Sequence, residues 1–337
     1  MKKIFILSIF LMSAGIVNSQ TKVALVFDAG GKNDRSFNQA AWEGAKQAEK
    51  SFGIILKDVE PPDSSAVQEA IRNFASQGFD LIIGVGFANA PAIKTVAKEF
   101  PKISFAIVDS RVDLPNVASL EFKEQEGSFL VGVIAGMTSY NVKGKKAVGF
   151  IGGMDIPLIH KFEVGFTQGV KAVNSDIKVL VNYVGNTPAA WNDPAKGKEI
   201  SNAQIAKGAT VIYSAAGGSG GGMFDAIKNK NGKKDCASMK ESCVYAIGVD
   251  SNQNYIVPGQ VLTSMLKRVD VAVYNTIRQM NSGSFKGGSY VFGLSSNGVG
   301  YALDKYNKSL ISDDTIAKVA QYRKKIIAKT LKVDSTR

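Results

Sequence analysis

Short apolar runs alternate with helix-periodic stretches along most of this chain, and near Lys146 the alternation starts over. In the first series, residues 23–27, 53–56, 80–86, 103–109 and 117–122 read as strands. Helical spacing follows at 40–50, in a helix capped by Ser64 or Ser65 and running to about Gln77, and at 90–100. Near-continuous apolar strands of this kind are buried on both faces, and strands alternating with helices make a parallel sheet covered on both sides. The second series repeats the arrangement, with strands at 146–153, 177–184, 210–215 and 244–250 and helices at 159–172, 194–207 and after the glycine run 217–222. Asp193 reads as an N-cap and Pro194 as the first helical residue. Gly127, Gly132 and Gly136 line one side of a helix over 124–140 for close packing. A strand at 261–266 and a helix at 270–280 are expected to return to the first unit. A last strand at 290–294 and a helix at 312–331 end the chain. The fold class is therefore α/β, with two doubly wound parallel-sheet lobes of similar size.

The 337 residues are enough for two cores. Lys2-Lys3 followed by an apolar stretch to Val17 and the small residues Val17-Asn18-Ser19 reads as a cleavable signal peptide over 1–19. No cysteine stands at that junction, so the mature chain is expected in the periplasm, soluble rather than lipid-anchored. Two cysteines, Cys236 and Cys243, lie in a polar segment and in an oxidising compartment read as one small-loop disulfide. The net charge is +12, or +10 without Lys2 and Lys3, but the basic residues are scattered in short runs at 143–146, 228–234 and 323–329. A nucleic-acid reader concentrates them with aromatics on one face, so nucleic acid is not an expected partner.

Candidate chemistry gathers at strand ends, where ligands of open α/β sheets bind beside helix N-termini. The first strand ends at Asp28, passes Gly30 and Gly31, and reaches Ser36, Phe37 and Asn38 where a helix opens. A plain strand-to-helix turn accounts for the glycines and for Asp34 or Ser36 as N-cap, but not for a Phe beside the cap. Asp109 ends another strand of the first lobe. In the second lobe Phe224 opens a helix after the glycine run, Asp250 ends a strand, and Lys267 follows another. Each has a bland alternative: a turn residue, a core contact, a solvated lysine. Asp and Phe recurring at the carboxyl edge of both lobes favours a ligand site. The glycine run lacks a following Gly-Lys-Ser/Thr, so it is no P-loop. His160 is the only histidine and reads as a surface residue, while Trp42 and Trp191 read as packing. No nucleophile, metal set or acid–base pair stands out, so neither an enzyme nor a cofactor is expected.

The segments 34–39 (Asp-Arg-Ser-Phe-Asn-Gln), 217–220 (Gly-Gly-Ser-Gly), 248–253 (Gly-Val-Asp-Ser-Asn-Gln) and 263–267 (Thr-Ser-Met-Leu-Lys) resemble the basic membrane protein family, the purine-nucleoside-binding components of bacterial ABC importers. The resemblance covers nearly the whole mature chain. It implies a periplasmic-binding-protein fold of the first type, with a three-strand hinge, one lobe at 20–122 plus 267–290 and the other at 123–266 plus 291–337. It implies a purine base (of adenosine, guanosine or inosine) between Phe37 and Phe224, read by Asn38 and Asp109. The ribose would be held by Asp250 and Lys267, with Asp28 as a further site position and Ser36, Phe87 and Gly218 as weaker ones. The implied partner is an ABC permease in the inner membrane. Two features depart from the family pattern: the missing leader cysteine and the insert at 228–243. The rival readings are a surface adhesin and a sugar-binding sensor of the same fold.

Overall fold

The computed structural model describes residues 20–140 and 147–337. The expected leader at 1–19 and the basic run at 143–146 lie outside the described residues. Two six-stranded sheets form, each with its own crossing order. The first contains β1 (Lys22–Val26), β2 (Ile55–Val59), β3 (Leu81–Gly84), β4 (Ser104–Val108) and β5 (Val117–Phe122). Helices α1 (Phe37–Phe52), α2 (Ser64–Ser76) and α3 (Ala90–Glu99) connect the first four of these strands.

The chain then passes through α4 (Glu124–Tyr140) into the second sheet: β6 (Ala147–Met154), α5 (Pro157–Val173), β7 (Lys178–Gly185), α6 (Pro194–Ala206), β8 (Ala209–Ala215), α7 (Gly221–Asn231), β9 (Tyr245–Asp250) and β10 (Val261–Lys267). Helix α8 (Val269–Asn281) and β11 (Gly288–Phe292) go back to the first lobe. The short β12 (Val299–Tyr301) and α9 (Asp313–Ile327) finish in the second. The sheet orders are β11-β5-β4-β3-β1-β2 and β12-β10-β9-β8-β6-β7. All described pairings are parallel except β12 against β10. The chain thus crosses between the lobes three times, after Phe122, after Lys267 and after Phe292.

Three local expectations change. The strand at 261–266 does not return to the first lobe: it pairs with β9 in the second sheet, and only α8 returns, packed on α1. The strand expected at 290–294 ends at Phe292 and pairs with β5 in the first sheet, so that lobe reaches two residues further than 290. Helix α2 is capped by Asp63, whose carboxylate accepts from the amides of Ser65 and Ala66. A carboxylate cap also suits the positive end of the helix dipole. Asp193 caps α6 as its position beside Pro194 suggests, accepting from the Lys196 amide at 2.8 Å.

The glycines of α4 serve the packing the sequence suggests. A Cβ on Gly132 would stand 2.3 Å from the Phe166 carbonyl oxygen, and one on Gly169 of α5 would stand 2.1 Å from that of Phe129. The two helices touch backbone to backbone, which fixes α5, and α5 carries part of the site described below.

Cys236 and Cys243 form the expected disulfide, with Cα atoms 5.8 Å apart. The sulfurs are not on a polar surface: both residues are 2–3% exposed, and the Tyr245 hydroxyl donates to the Cys236 carbonyl at 2.7 Å. Neither lines the interlobe cavity. Reducing the bridge is expected to lower stability by about 2–3 kcal/mol, the chain-entropy value for so short a loop, and to leave ligand affinity unchanged. Chemical denaturation and ligand titration with and without reductant check this, and loss of affinity in folded, reduced protein would contradict it.

Candidate functional site

The carboxyl ends of the two sheets face each other across a cleft with about 530 Å³ of unfilled space, its mouth included. The first lobe contributes Asp28, Asp34, Phe37, Asn38, Phe87 and Asp109, and the second Leu158, Phe162, Trp191, Asp250 and Lys267.

The loop before α1 is built by its polar residues. Asp34, not Ser36, caps the helix, accepting from the amides of Ser36, Asn38 and Gln39 at 2.8, 3.0 and 3.1 Å. Arg35 takes a left-handed backbone (φ 56°), which turns the chain into the helix. Freed from capping, the Ser36 hydroxyl crosses the cleft and donates to Asp250 Oδ2 at 2.7 Å. Asn38 Nδ2 donates to Asp28 Oδ1 at 2.8 Å, and that oxygen also accepts from the Gly30 amide at 2.9 Å. An ionised carboxylate only accepts, so this bond fixes which end of the amide faces Asp28. Among the described residues, Asn38 Oδ1 is left buried with no partner. A Cβ on Gly30 would stand 2.8 Å from Asn38 Nδ2 and 3.1 Å from Asp28 Oδ1, so a side chain there would push against this bonded pair.

Two aspartates occupy equivalent places in the two sheets. Asp109 follows β4 and Asp250 ends β9, each strand third from the corresponding edge, and both residues have a left-handed backbone (φ 66° and 62°). Lys267, 2% exposed at the end of β10, lies between the lobes. Its Nζ donates to Asp109 Oδ2 at 2.5 Å and stands 3.1 Å from Glu124 Oε1. The ammonium also lies 5.1 Å from the Phe37 ring centre and 5.5 Å from that of Phe162. Asp109 Oδ1, like Asn38 Oδ1, is buried without a partner among the described residues.

Carboxylates outnumber cations in this space, and burial dominates their titration. Desolvation pushes the Asp109 carboxyl up to about 7 despite the Lys267 ammonium beside it, with Glu124 and Asp250 adding to the rise. Burial likewise takes Asp34 to about 7 against three backbone amides. Burial also raises Asp28 and Asp250. Surrounding carboxylates hold Lys267 charged, raising its pKa over the opposing effect of burial. A carboxyl with a raised folded-state pKa binds more protons folded than unfolded, and its contribution is lost as pH rises toward that pKa. The ligand-free protein is therefore expected to melt at higher temperature at pH 5 than at pH 8, with the change centred below about 7. Scanning calorimetry across that range measures it, and Asp109→Asn should flatten the profile. A melting temperature that climbs from pH 5 to pH 8 would refute the assignment.

The structure brings Asp28, Phe37, Asn38, Phe87, Asp109, Asp250 and Lys267 to one cavity, with Ser36 bonded across it. Lys267 bonds to Asp109, where the resemblance implies a pair with Asp250. Phe224 and Gly218 do not line this cavity and stand on an adjoining groove. The aromatic expectation for the second lobe needs correcting. Phe224 lies one turn into α7, 3% exposed and packed among Ile212, Ile227 and their neighbours, because that face of the helix is turned to the sheet.

The second-lobe rings in the cavity are Phe162 and Trp191. Phe162 sits in α5, the counterpart of α1 after the equivalent strand. Trp191 is no mere packing residue: its indole meets Phe87 of the other lobe edge-on at 6.5 Å, and a Cβ on Gly153 would stand 2.1 Å from it. The signal for Trp191 was its place just before the Asn192-Asp193-Pro194 cap. Trp42 does pack, edge-on against Phe27. His160 is less exposed than a surface residue and reaches Asp155 at 2.5 Å.

Comparison with known proteins supports a single assignment. Residues 21–337 match the family described as ABC transporter substrate-binding protein, PnrA-like. A protein of Listeria monocytogenes named CD4+ T-cell-stimulating antigen is 38% identical, over 92% of this chain and 87% of its own. The "ABC transporter nucleoside-binding protein BmpA" of Lactococcus lactis is 36% identical, over 91% and 88%. A solute-binding protein of an Aeropyrum pernix ABC transporter system superposes with a TM-score of 0.84 at 29% identity, covering 94% of each chain.

These relatives overturn one expectation. A Pyrococcus horikoshii protein 34% identical over 91% of this chain and 78% of its own is named a lipoprotein, as are two other Pyrococcus relatives. A soluble chain without a lipid anchor does not stand against that. It rested on one missing cysteine in a leader outside the described residues.

Proposed function

This chain belongs to the PnrA-like family of ABC transporter substrate-binding proteins, and we propose that the solute it captures is a purine nucleoside, closed between its two lobes. The observation that carries the reading is the pairing, in one cavity, of half-buried rings from opposite lobes with buried acceptors that have no partner. Phe37 lines the cavity from the first lobe and Trp191 from the second. Stacking on an aromatic ring contributes roughly 1–3 kcal/mol per base. Asn38 Oδ1 and Asp109 Oδ1 are acceptors awaiting N–H or O–H donors, which a purine edge and a ribose supply. A lysine ammonium has three protons. Asp109 accepts one of them, while Glu124 Oε1 at 3.1 Å makes a charge contact without a hydrogen bond, which leaves protons for a ligand oxygen, with Asp250 beside it for a vicinal hydroxyl.

The charge balance argues against nucleotides. Asp28, Asp34, Asp109 and Asp250 surround one lysine that is already neutralised. A phosphate entering there would meet carboxylates and, among the described residues, no free cation, so a neutral ligand rich in donors fits and an anionic one does not. The Lactococcus relative is named as nucleoside-binding, which agrees with this reading. A ligand touching both lobes stabilises the closed form by its differential affinity for it, and closure is what a permease would read. Titration calorimetry with inosine, adenosine and guanosine, against their 5′-monophosphates and against hexoses, tests the proposal. Saturable binding of nucleosides alone is expected. Binding of a hexose with no nucleoside binding would replace this reading with the sugar-sensor one.

A further inference from the structure

We propose that Glu124 is a positioning residue: from the first crossover between the lobes it holds Lys267 in place through a chain of four alternating charges, and so tunes how readily the cleft closes. The proposal rests on the reading of the cleft as a closing solute site, but not on which solute fills it.

Glu124 is the first residue of α4, two positions past the end of β5. Its side chain is 0% exposed. One carboxylate oxygen lies 3.1 Å from Lys267 Nζ and the other 3.3 Å from Lys161 Nζ of α5. Lys161 also donates to the Phe122 carbonyl at 3.4 Å, at the end of β5. Lys267 reaches on to Asp109 at 2.5 Å. The order is Lys161, Glu124, Lys267, Asp109, with the sign of charge alternating along it.

Three members of the chain belong to the second lobe, on α4, α5 and β10. Only Asp109 belongs to the first. Opening the cleft therefore breaks one link, between Lys267 and Asp109, and leaves the others intact. A lysine with no neighbour in the open lobe would be hydrated and free to rotate, and closing would have to order and desolvate it. Glu124 keeps a carboxylate beside it in both states. The same carboxylate repels Asp109 and Asp250, the other groups around the ammonium. Glu124 thus places the closing cation and also makes closure sensitive to protonation of Asp109.

The test uses the ligand-free full chain carrying nitroxide labels at Lys98→Cys and Lys207→Cys, one exposed site on each lobe. Pulsed electron resonance gives the interlobe distance and the closed fraction between pH 5 and pH 8. In the parent the closed fraction should fall as pH rises, because closing takes up protons on buried carboxyls. In Glu124→Gln the midpoint should move to lower pH by about one unit, the lower end of what one neighbouring charge does to a carboxyl. Glu124→Gln with Lys161→Met removes both charges of one link, and keeps the test open if the single variant does not fold. The double variant should show the same shift. A midpoint equal to the parent's, or one restored in the double variant, means that Glu124 only packs, and overturns the proposal. Inosine titration of the parent separates the two readings. Failure to bind inosine with the shift present removes the nucleoside and keeps the lock.

Discussion

Lys267→Met is expected to weaken nucleoside binding by a hundredfold or more. Lys267 is 2% exposed and, among the described residues, is the only cation touching Asp109, with Glu124 also within 3.1 Å. Methionine fills the volume and brings no charge, so closing the cleft would bury the Asp109 carboxylate alone. Breaking a buried pair by removing one partner costs about 3–5 kcal/mol, and each 1.4 kcal/mol is tenfold in affinity. Glu124 keeps Lys161 as a partner, so the ligand-free, open form should lose less. Combining Lys267→Met with Asp109→Asn removes the orphaned charge and should recover part of the loss. Titration calorimetry on the single and double variants reads this directly. Binding within threefold of the parent in Lys267→Met would show that the lysine is not part of the closed site.

Alanine at Phe37 or at Trp191 is expected to lower purine-nucleoside affinity tenfold or more, and alanine at Phe224 to do something different. Phe37 and Trp191 are half-buried and line the cavity, while Phe224 is in the core of the second lobe. Losing one stacking face removes roughly 1–3 kcal/mol of binding and leaves the ligand-free fold nearly unchanged. Truncating a core phenylalanine costs about 3–5 kcal/mol of stability and should leave the affinity of the folded fraction close to the parent's. Phe37→Tyr and Trp191→Phe should restore most binding, because any π-face serves. Melting curves beside titrations for the three alanine variants separate the two roles. Collapse of the Phe37→Ala fold with normal residual binding would make Phe37 a core residue.

Much of this was legible before the structure because parallel strands buried on both faces leave long apolar runs, and the runs occur twice. Strand-end aspartates and the loop from Asp28 to Asn38 were equally visible, since their polar residues stand where apolar periodicity stops. Position across the cleft was not. The spacing that placed Phe224 after a glycine run says nothing about which side of α7 meets the sheet. Trp191 sits in a short 3-10 turn with no periodicity to read. Glu124 looked like an ordinary first-turn acid of α4, and only the crossover of the chain brings it to Lys267. β12, three residues beside glycines, is too short to leave a pattern. The cap of α1 shows the same limit. Asp34 and Ser36 both fit the sequence, and it is the demand of Asp250 across the cleft that takes the serine away.

The central claim, that a purine nucleoside is closed between these lobes, is tested most directly by mass spectrometry of the native protein as purified, without added ligand, followed by identification of whatever is released on unfolding. The account predicts a non-covalent adduct that releases inosine, adenosine or guanosine, present in the parent and lost in Lys267→Met. A released hexose, or an adduct equally abundant in Lys267→Met, would contradict it.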